Sequence, residues 1–123
     1  MNGNAHLIVI LEDDASLRRA LDRLLRHSGF NTRSFRSAED ADASGWASSA
    51  HCLILDVHLP GASGPEFYGT LVIPRPPAVF TTAYDGSATR RAVRSIGDYP
   101  LLTKPFTGEA LLDAVRQALS KNG

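Results

Sequence analysis

Leu7-Ile8-Val9-Ile10-Leu11 is an unbroken apolar run rich in β-branched residues. Without polar alternation, such a run predicts a strand buried on both faces of a parallel sheet. It stops at Glu12-Asp13-Asp14. Asp14 is a good N-cap, and beyond it Leu17, Ala20, Leu21, Leu24 and Leu25 recur at helical spacing. Arg18, Arg19, Asp22, Arg23 and Arg26 take the other face, and Gly29 offers a C-terminal stop. The opening pattern is strand, acidic loop, amphipathic helix.

The cycle then repeats. Phe30 to Phe35 reads as a polar strand at a sheet edge, and Ser37 with Asp40 predicts a capped helix running to about Ser49. Cys52-Leu53-Ile54-Leu55 leads into Asp56, and Pro65 to Leu71 leaves room for only a short helix. Pro74, Pro76 and Pro77 bar regular structure before Ala78-Val79-Phe80, which runs into Thr81 and Thr82. Ser87 to Ile96 predicts a helix with Ala88, Ala92, Val93 and Ile96 inward, and Leu101-Leu102 a short strand. Thr107 caps a last helix burying Leu111, Val115, Ala118 and Leu119. Strands alternating with helices imply βαβ units, right-handed crossovers and an α/β fold, a doubly wound parallel sheet with helices on both faces.

At 123 residues the chain is one domain by the usual roughly 100–200 residues each. Thirteen Lys and Arg balance thirteen Asp and Glu. That balance lacks the basic excess of a nucleic-acid binder, so no direct nucleic-acid partner is expected. Cys52 is the single cysteine, which excludes an internal disulfide and suits a reducing compartment. The run Leu7 to Leu11 fails as a signal peptide and falls far short of the ~20 residues of a membrane helix. A cytoplasmic protein with no membrane partner is expected.

In sheets of this kind, ligands bind beyond the carboxyl ends of the strands. Glu12 and Asp13 follow the first predicted strand, Asp56 ends the third, Thr82 the fourth and Lys104 the fifth, so all five fall at one edge. Three carboxylates meeting in a cleft repel, so either their pKa values rise or a cation joins them, and a hard divalent cation is the economical answer. An oxygen-only site suits Mg2+ better than Ca2+, and the lack of a Cys or His cluster argues against zinc. Lys104 adds an ammonium and Thr82 a hydroxyl. Together these groups describe a receptacle for a phosphoryl group.

These residues carry a resemblance to a known family. From Leu7 to about Leu119 the chain resembles the receiver domain of two-component response regulators. The match rests on Ile10-Leu11-Glu12-Asp13-Asp14, Asp56-Val57-His58-Leu59-Pro60-Gly61 with Gly64 after it, Thr82-Ala83, and Lys104-Pro105-Phe106. The resemblance implies a receiver domain over residues 5–121, with a flavodoxin-like five-stranded sheet in the order 2-1-3-4-5. It implies that Asp56 is the phosphoacceptor, and that Asp13, Asp56 and the His58 backbone carbonyl ligate Mg2+. Glu12 then holds a metal-bound water, while Lys104, the Thr82 hydroxyl and the Ala83 amide hold the phosphoryl group. The implied donor is a sensor histidine kinase or histidine phosphotransfer protein, and the implied recipient a downstream protein or output domain. On this reading the chain is not an enzyme in the ordinary sense, catalysing only its own phosphorylation and dephosphorylation.

The chain also departs from the family pattern. Leu101 stands where receivers usually carry an aromatic switch residue, three positions before the Lys. His58 and Tyr84 occupy positions whose side chains commonly tune dephosphorylation, and their bulk is expected to obstruct attacking water. Two rival readings remain: a receiver-like interaction module that signals without phosphate, and a Mg2+-dependent phosphohydrolase using Asp56 on small substrates. His58 stands where that hydrolase would want a second carboxylate. Cys52 beside His51 is expected to be a small buried core residue rather than half of a catalytic pair, and Trp46 is expected to serve packing. The arginines of the first helix are either solvated or a docking face for the phosphodonor.

Overall fold

The computed structural model describes residues 5–40 and 43–121. Five parallel strands, β1 (Leu7–Leu11), β2 (Asn31–Phe35), β3 (Cys52–Asp56), β4 (Ala78–Thr82) and β5 (Leu101–Thr103), form one sheet in the order β2-β1-β3-β4-β5. They alternate with α1 (Ala15–His27), α2 (Ala43–Ser49), α3 (Gly64–Gly69), α4 (Ser87–Arg94) and α5 (Gly108–Lys121). The expected α/β architecture and strand order are those observed.

Side chains along a strand point alternately to opposite faces, so an apolar strand feeds two cores. Ile8, Ile10, Cys52, Ile54 and Val79 pack under α1 and α5 with Leu21, Leu25, Leu111 and Val115. Val9, Leu11, Leu53, Leu55 and Phe80 pack on the other side with Ala47, Phe67, Tyr68 and Val93 of α2, α3 and α4. Each such side chain contributes ~1.5–3 kcal/mol by leaving water. Cys52 belongs to this core, and burial pushes its thiol up to about 12.

The edge strand β2 pairs with apolar β1 on one side only, and its buried polar side chain meets polar groups of α1. Thr32 is buried, its hydroxyl donating to the Asp22 carboxylate and accepting from Arg26 Nε at 2.9 Å. Asp14 caps α1, accepting from the N–H groups of Ser16 and Leu17, and Gly29 follows the helix at φ 95°.

Four expectations change. The Ser37 hydroxyl does accept from the Asp40 N–H at 2.9 Å, but this bond closes a turn, and α2 begins only at Ala43. In α1, Ala20 is exposed, leaving Leu21 and Leu25 as the buried residues. α4 ends at Arg94 rather than Ile96; Val93 is buried, Ala92 half-buried and Ile96 packed on the core as expected, but Ala88 is exposed and Thr89 is buried in its place. Trp46 is not a packing residue: it is 40% exposed, with the Arg33 guanidinium 4.3 Å from its ring centroid.

Candidate functional site

Parallel register carries the strand ends to one edge. Leu11 lies opposite Leu55, Asp56 opposite Thr81, and Thr82 opposite Thr103. Glu12, the residue after Leu11, therefore stands beside Asp56. The Lys104 N–H donates to the Thr82 carbonyl at 2.7 Å, holding the lysine at the same edge. The chain leaves β1 and β3 toward opposite faces of the sheet, and the crevice that this opens is the usual ligand site of such folds.

Glu12 and Asp56 are almost fully buried, while Asp13 is exposed at the rim. Lys104 Nζ lies 2.9 Å from Glu12 Oε1 and 3.1 Å from Asp56 Oδ2, bridging the two buried carboxylates. The other oxygens are held by backbone. The Asp14 N–H donates to Glu12 Oε2 and the His58 N–H to Asp56 Oδ1, each at 3.0 Å. Burial pushes the Glu12 carboxyl above its ordinary range, reinforced by the Asp56 charge and opposed by the Asp14 N–H and Lys104. For Lys104, burial acts downward, but the close carboxylates of Glu12 and Asp56 outweigh it and hold the ammonium above its ordinary value.

Carboxylate oxygens of Glu12, Asp13 and Asp56 lie within 4.8 Å of one another. One ammonium among three carboxylates leaves excess negative charge. Glu12 Oε1 is closed off from solvent, near the Lys104 ammonium but without an aligned hydrogen bond. A hard divalent cation fits this oxygen-only set.

Thr82 is fully buried at the same edge, but its hydroxyl donates to the Tyr84 carbonyl and accepts the Tyr84 N–H, both at 2.9 Å. It braces the loop after β4 rather than bonding Asp56. Ala83 follows it and is exposed. The His58 and Tyr84 rings meet edge to face at 5.8 Å, and Leu101 is half-buried against the core.

Three residues support the site in ways the sequence did not foretell: Arg18 was expected to be solvated or to dock the phosphodonor, and Thr89 and Glu66 were not singled out. Arg18 turns back from α1, and its guanidinium donates to the Glu12 carbonyl at 2.9 Å, so it supports the acidic loop. Thr89 reaches His58 Nε2 at 3.5 Å. Glu66 completes a reciprocal cap with Ser63 at the start of α3, for which the Ser63-Gly64-Pro65-Glu66 spacing was the available signal. Gly64 itself is required by contact, since a Cβ there would overlap the Asp56 carbonyl oxygen.

Comparison with known proteins agrees with this geometry. The profile of the response regulator receiver domain matches residues 8–116. Nodulation protein W of Bradyrhizobium diazoefficiens is 36% identical over 94% of this chain and 52% of its own length. The transcriptional regulatory protein TdiR of Thauera aromatica is 33% identical over 98% of this chain and 54% of its own. The chain thus spans about half the length of these relatives. A response regulator receiver protein from Burkholderia phymatum superposes with a TM-score of 0.80 at 32% identity, covering 94% of this chain and 95% of that one. A CheY-like receiver domain from Methanospirillum hungatei shares the fold at a TM-score of 0.87 and 18% identity, over 96% of each chain.

Proposed function

The chain belongs to the response regulator receiver domain family, and on that premise we propose that Asp56 accepts a phosphoryl group and thereby switches a protein-interaction surface. The observation that carries this reading is the Lys104 ammonium set between Glu12 and Asp56, beside the exposed Asp13.

An Asp56 carboxylate oxygen attacks the phosphorus of a phosphohistidine in line. The O–P bond forms as the N–P bond breaks, and the imidazole leaves with the bonding pair and takes a proton. Asp13, Asp56 and the His58 carbonyl would hold Mg2+, with Glu12 on a bound water; the ion supplies positive charge to the phosphoryl oxygens. Lys104 already lies 3.1 Å from Asp56 and is set to follow the new charge. The Thr82 hydroxyl must leave Tyr84 to reach the phosphoryl group, which gives the loop after β4 a reason to move. The Ala83 amide is the further donor in this reading.

The expected phosphodonor is a histidine kinase or phosphotransfer protein, and the recipient a downstream protein or output domain, in the cytoplasm. Among the described residues no helix is long and apolar enough to cross a membrane. Beryllofluoride titration with Mg2+ tests the reading. A bound fluorine signal and shifted amides around Asp56, both lost in Asp56→Asn, are expected. The half-buried Leu101 favours the rival of a phosphate-independent module, and for that rival neither change occurs. Rapid turnover of varied phosphate esters would instead point to a hydrolase.

A further inference from the structure

Among the described residues, one side-chain hydrogen bond, between Thr89 and His58, joins α4 to the loop after Asp56, beside the packing of Val93 in one core with Val57 and Leu59. Its N-cap, Gly86, supplies no side-chain bond to the first turn. That turn is fastened by the exposed Arg90–Asp85 pair at 2.7 Å and by Thr89, whose hydroxyl lies 3.5 Å from His58 Nε2. Thr89 is 7% exposed, yet it is a polar residue on the inward face of a short helix. Helical threonines ordinarily turn their hydroxyl to the carbonyl a turn earlier. Here the hydroxyl meets an imidazole from another segment, at the outer limit of hydrogen-bond reach.

His58 is exposed but meets neighbours at three points. Its N–H donates to Asp56 Oδ1 at 3.0 Å, its Nε2 faces Thr89, and its ring stands edge to face with Tyr84 at 5.8 Å. Tyr84 in turn is held through its backbone by the Thr82 hydroxyl. A continuous path therefore runs from the Asp56 carboxylate to the first turn of α4.

We propose that Thr89 is a positioning residue, which holds the His58 ring beside Tyr84 over the approach to Asp56 and so ties the lifetime of the Asp56 phosphoryl group to the position of α4. The inference rests on the phosphoacceptor reading and deepens it. With the latch closed, the ring obstructs the water that would attack phosphorus, cleave the O–P bond and release inorganic phosphate. A displacement of α4 that withdraws Thr89 frees the ring and opens that approach.

The test is decay of the phosphorylated protein after acetyl phosphate is removed. Thr89→Val keeps the shape but not the hydroxyl, and is expected to shorten the half-life about threefold or more, as loss of one modest hydrogen bond would. Thr89→Ser should restore the wild-type lifetime. In a His58→Asn background, Thr89→Val should have no further effect, which a purely structural role of Thr89 would not produce. The His58 ring nitrogen resonances of the unphosphorylated protein should also move in Thr89→Val and return in Thr89→Ser. Unchanged decay and unchanged ring resonances in Thr89→Val, or an equal acceleration without His58, would overturn the latch while leaving the phosphoacceptor reading intact. A wild-type protein that takes no phosphoryl group at all would overturn both.

Discussion

Lys104 Nζ lies 3.1 Å from Asp56 Oδ2, and these two residues, forty-eight positions apart in sequence, meet because β3 and β5 flank β4 in parallel register. The same ammonium reaches Glu12 at 2.9 Å, so it competes with any metal ion for the oxygens it neutralises. Lys104→Met should therefore bind Mg2+ more tightly in calorimetric titration. Without metal it should be less stable by about 1–3 kcal/mol, since it leaves two buried carboxylates without their cation. Unchanged affinity and stability would show that the lysine does not interact appreciably with the cluster.

Arg18 and Arg23 share the basic face of α1 but not its role. Arg18 bonds the Glu12 carbonyl at 2.9 Å, whereas Arg23 is exposed. Arg23→Glu should slow phosphotransfer from a histidine kinase while leaving phosphorylation by acetyl phosphate unchanged. Arg18→Glu should slow both, because it also removes support from the acidic loop. Identical behaviour of the two variants would contradict this division.

Two glycines should respond oppositely to alanine. At Gly64 an added Cβ overlaps the Asp56 carbonyl, so Gly64→Ala should cost about 1–3 kcal/mol, as overpacking does, and disturb Asp56 resonances. Gly45 lies within α2 with open space around it, and Gly45→Ala should stabilise by about 0.5–1 kcal/mol. Paired denaturant melts check both signs.

Burial holds the Cys52 thiol near 12, against about 9 in the open chain. At pH 8 the native thiol should resist alkylation and react only on unfolding. Above pH 9 the unfolded chain loses this proton while the native state keeps it, so stability should fall as pH rises toward 12. Burial raises Tyr68 as well, adding to the same slope. Cys52→Ala should flatten part of that slope in denaturant melts taken from pH 8 to 11.

Much of this architecture was legible because buried parallel strands write themselves as apolar runs. Leu7–Leu11, Cys52–Asp56 and Ala78–Thr82 each announce a strand, and each ends at a polar residue that the topology must bring to one edge. That rule makes Glu12, Asp13, Asp56 and Lys104 neighbours before any coordinate is known. Features set by side-chain direction were not legible. Ser37 and Asp40 make the hydrogen bond their spacing promises, yet a turn satisfies it as well as a helix does. In α4 a small apolar Ala88 and a polar Thr89 compete for the core, and the loop carrying His58 gives the threonine a partner that only tertiary structure reveals. The turns of Arg18 toward Glu12, six residues back, and of Thr82 toward Tyr84, two residues on, are side-chain directions that a hydrophobic pattern does not record.

The mass of the intact protein after incubation with acetyl phosphate and Mg2+ tests the central claim most directly. A gain of one phosphoryl group is expected, mapped to the peptide carrying Asp56, dependent on Mg2+ and absent from Asp56→Asn. No gain under these conditions, or an equal gain in Asp56→Asn, would contradict the assignment of Asp56 as the acceptor.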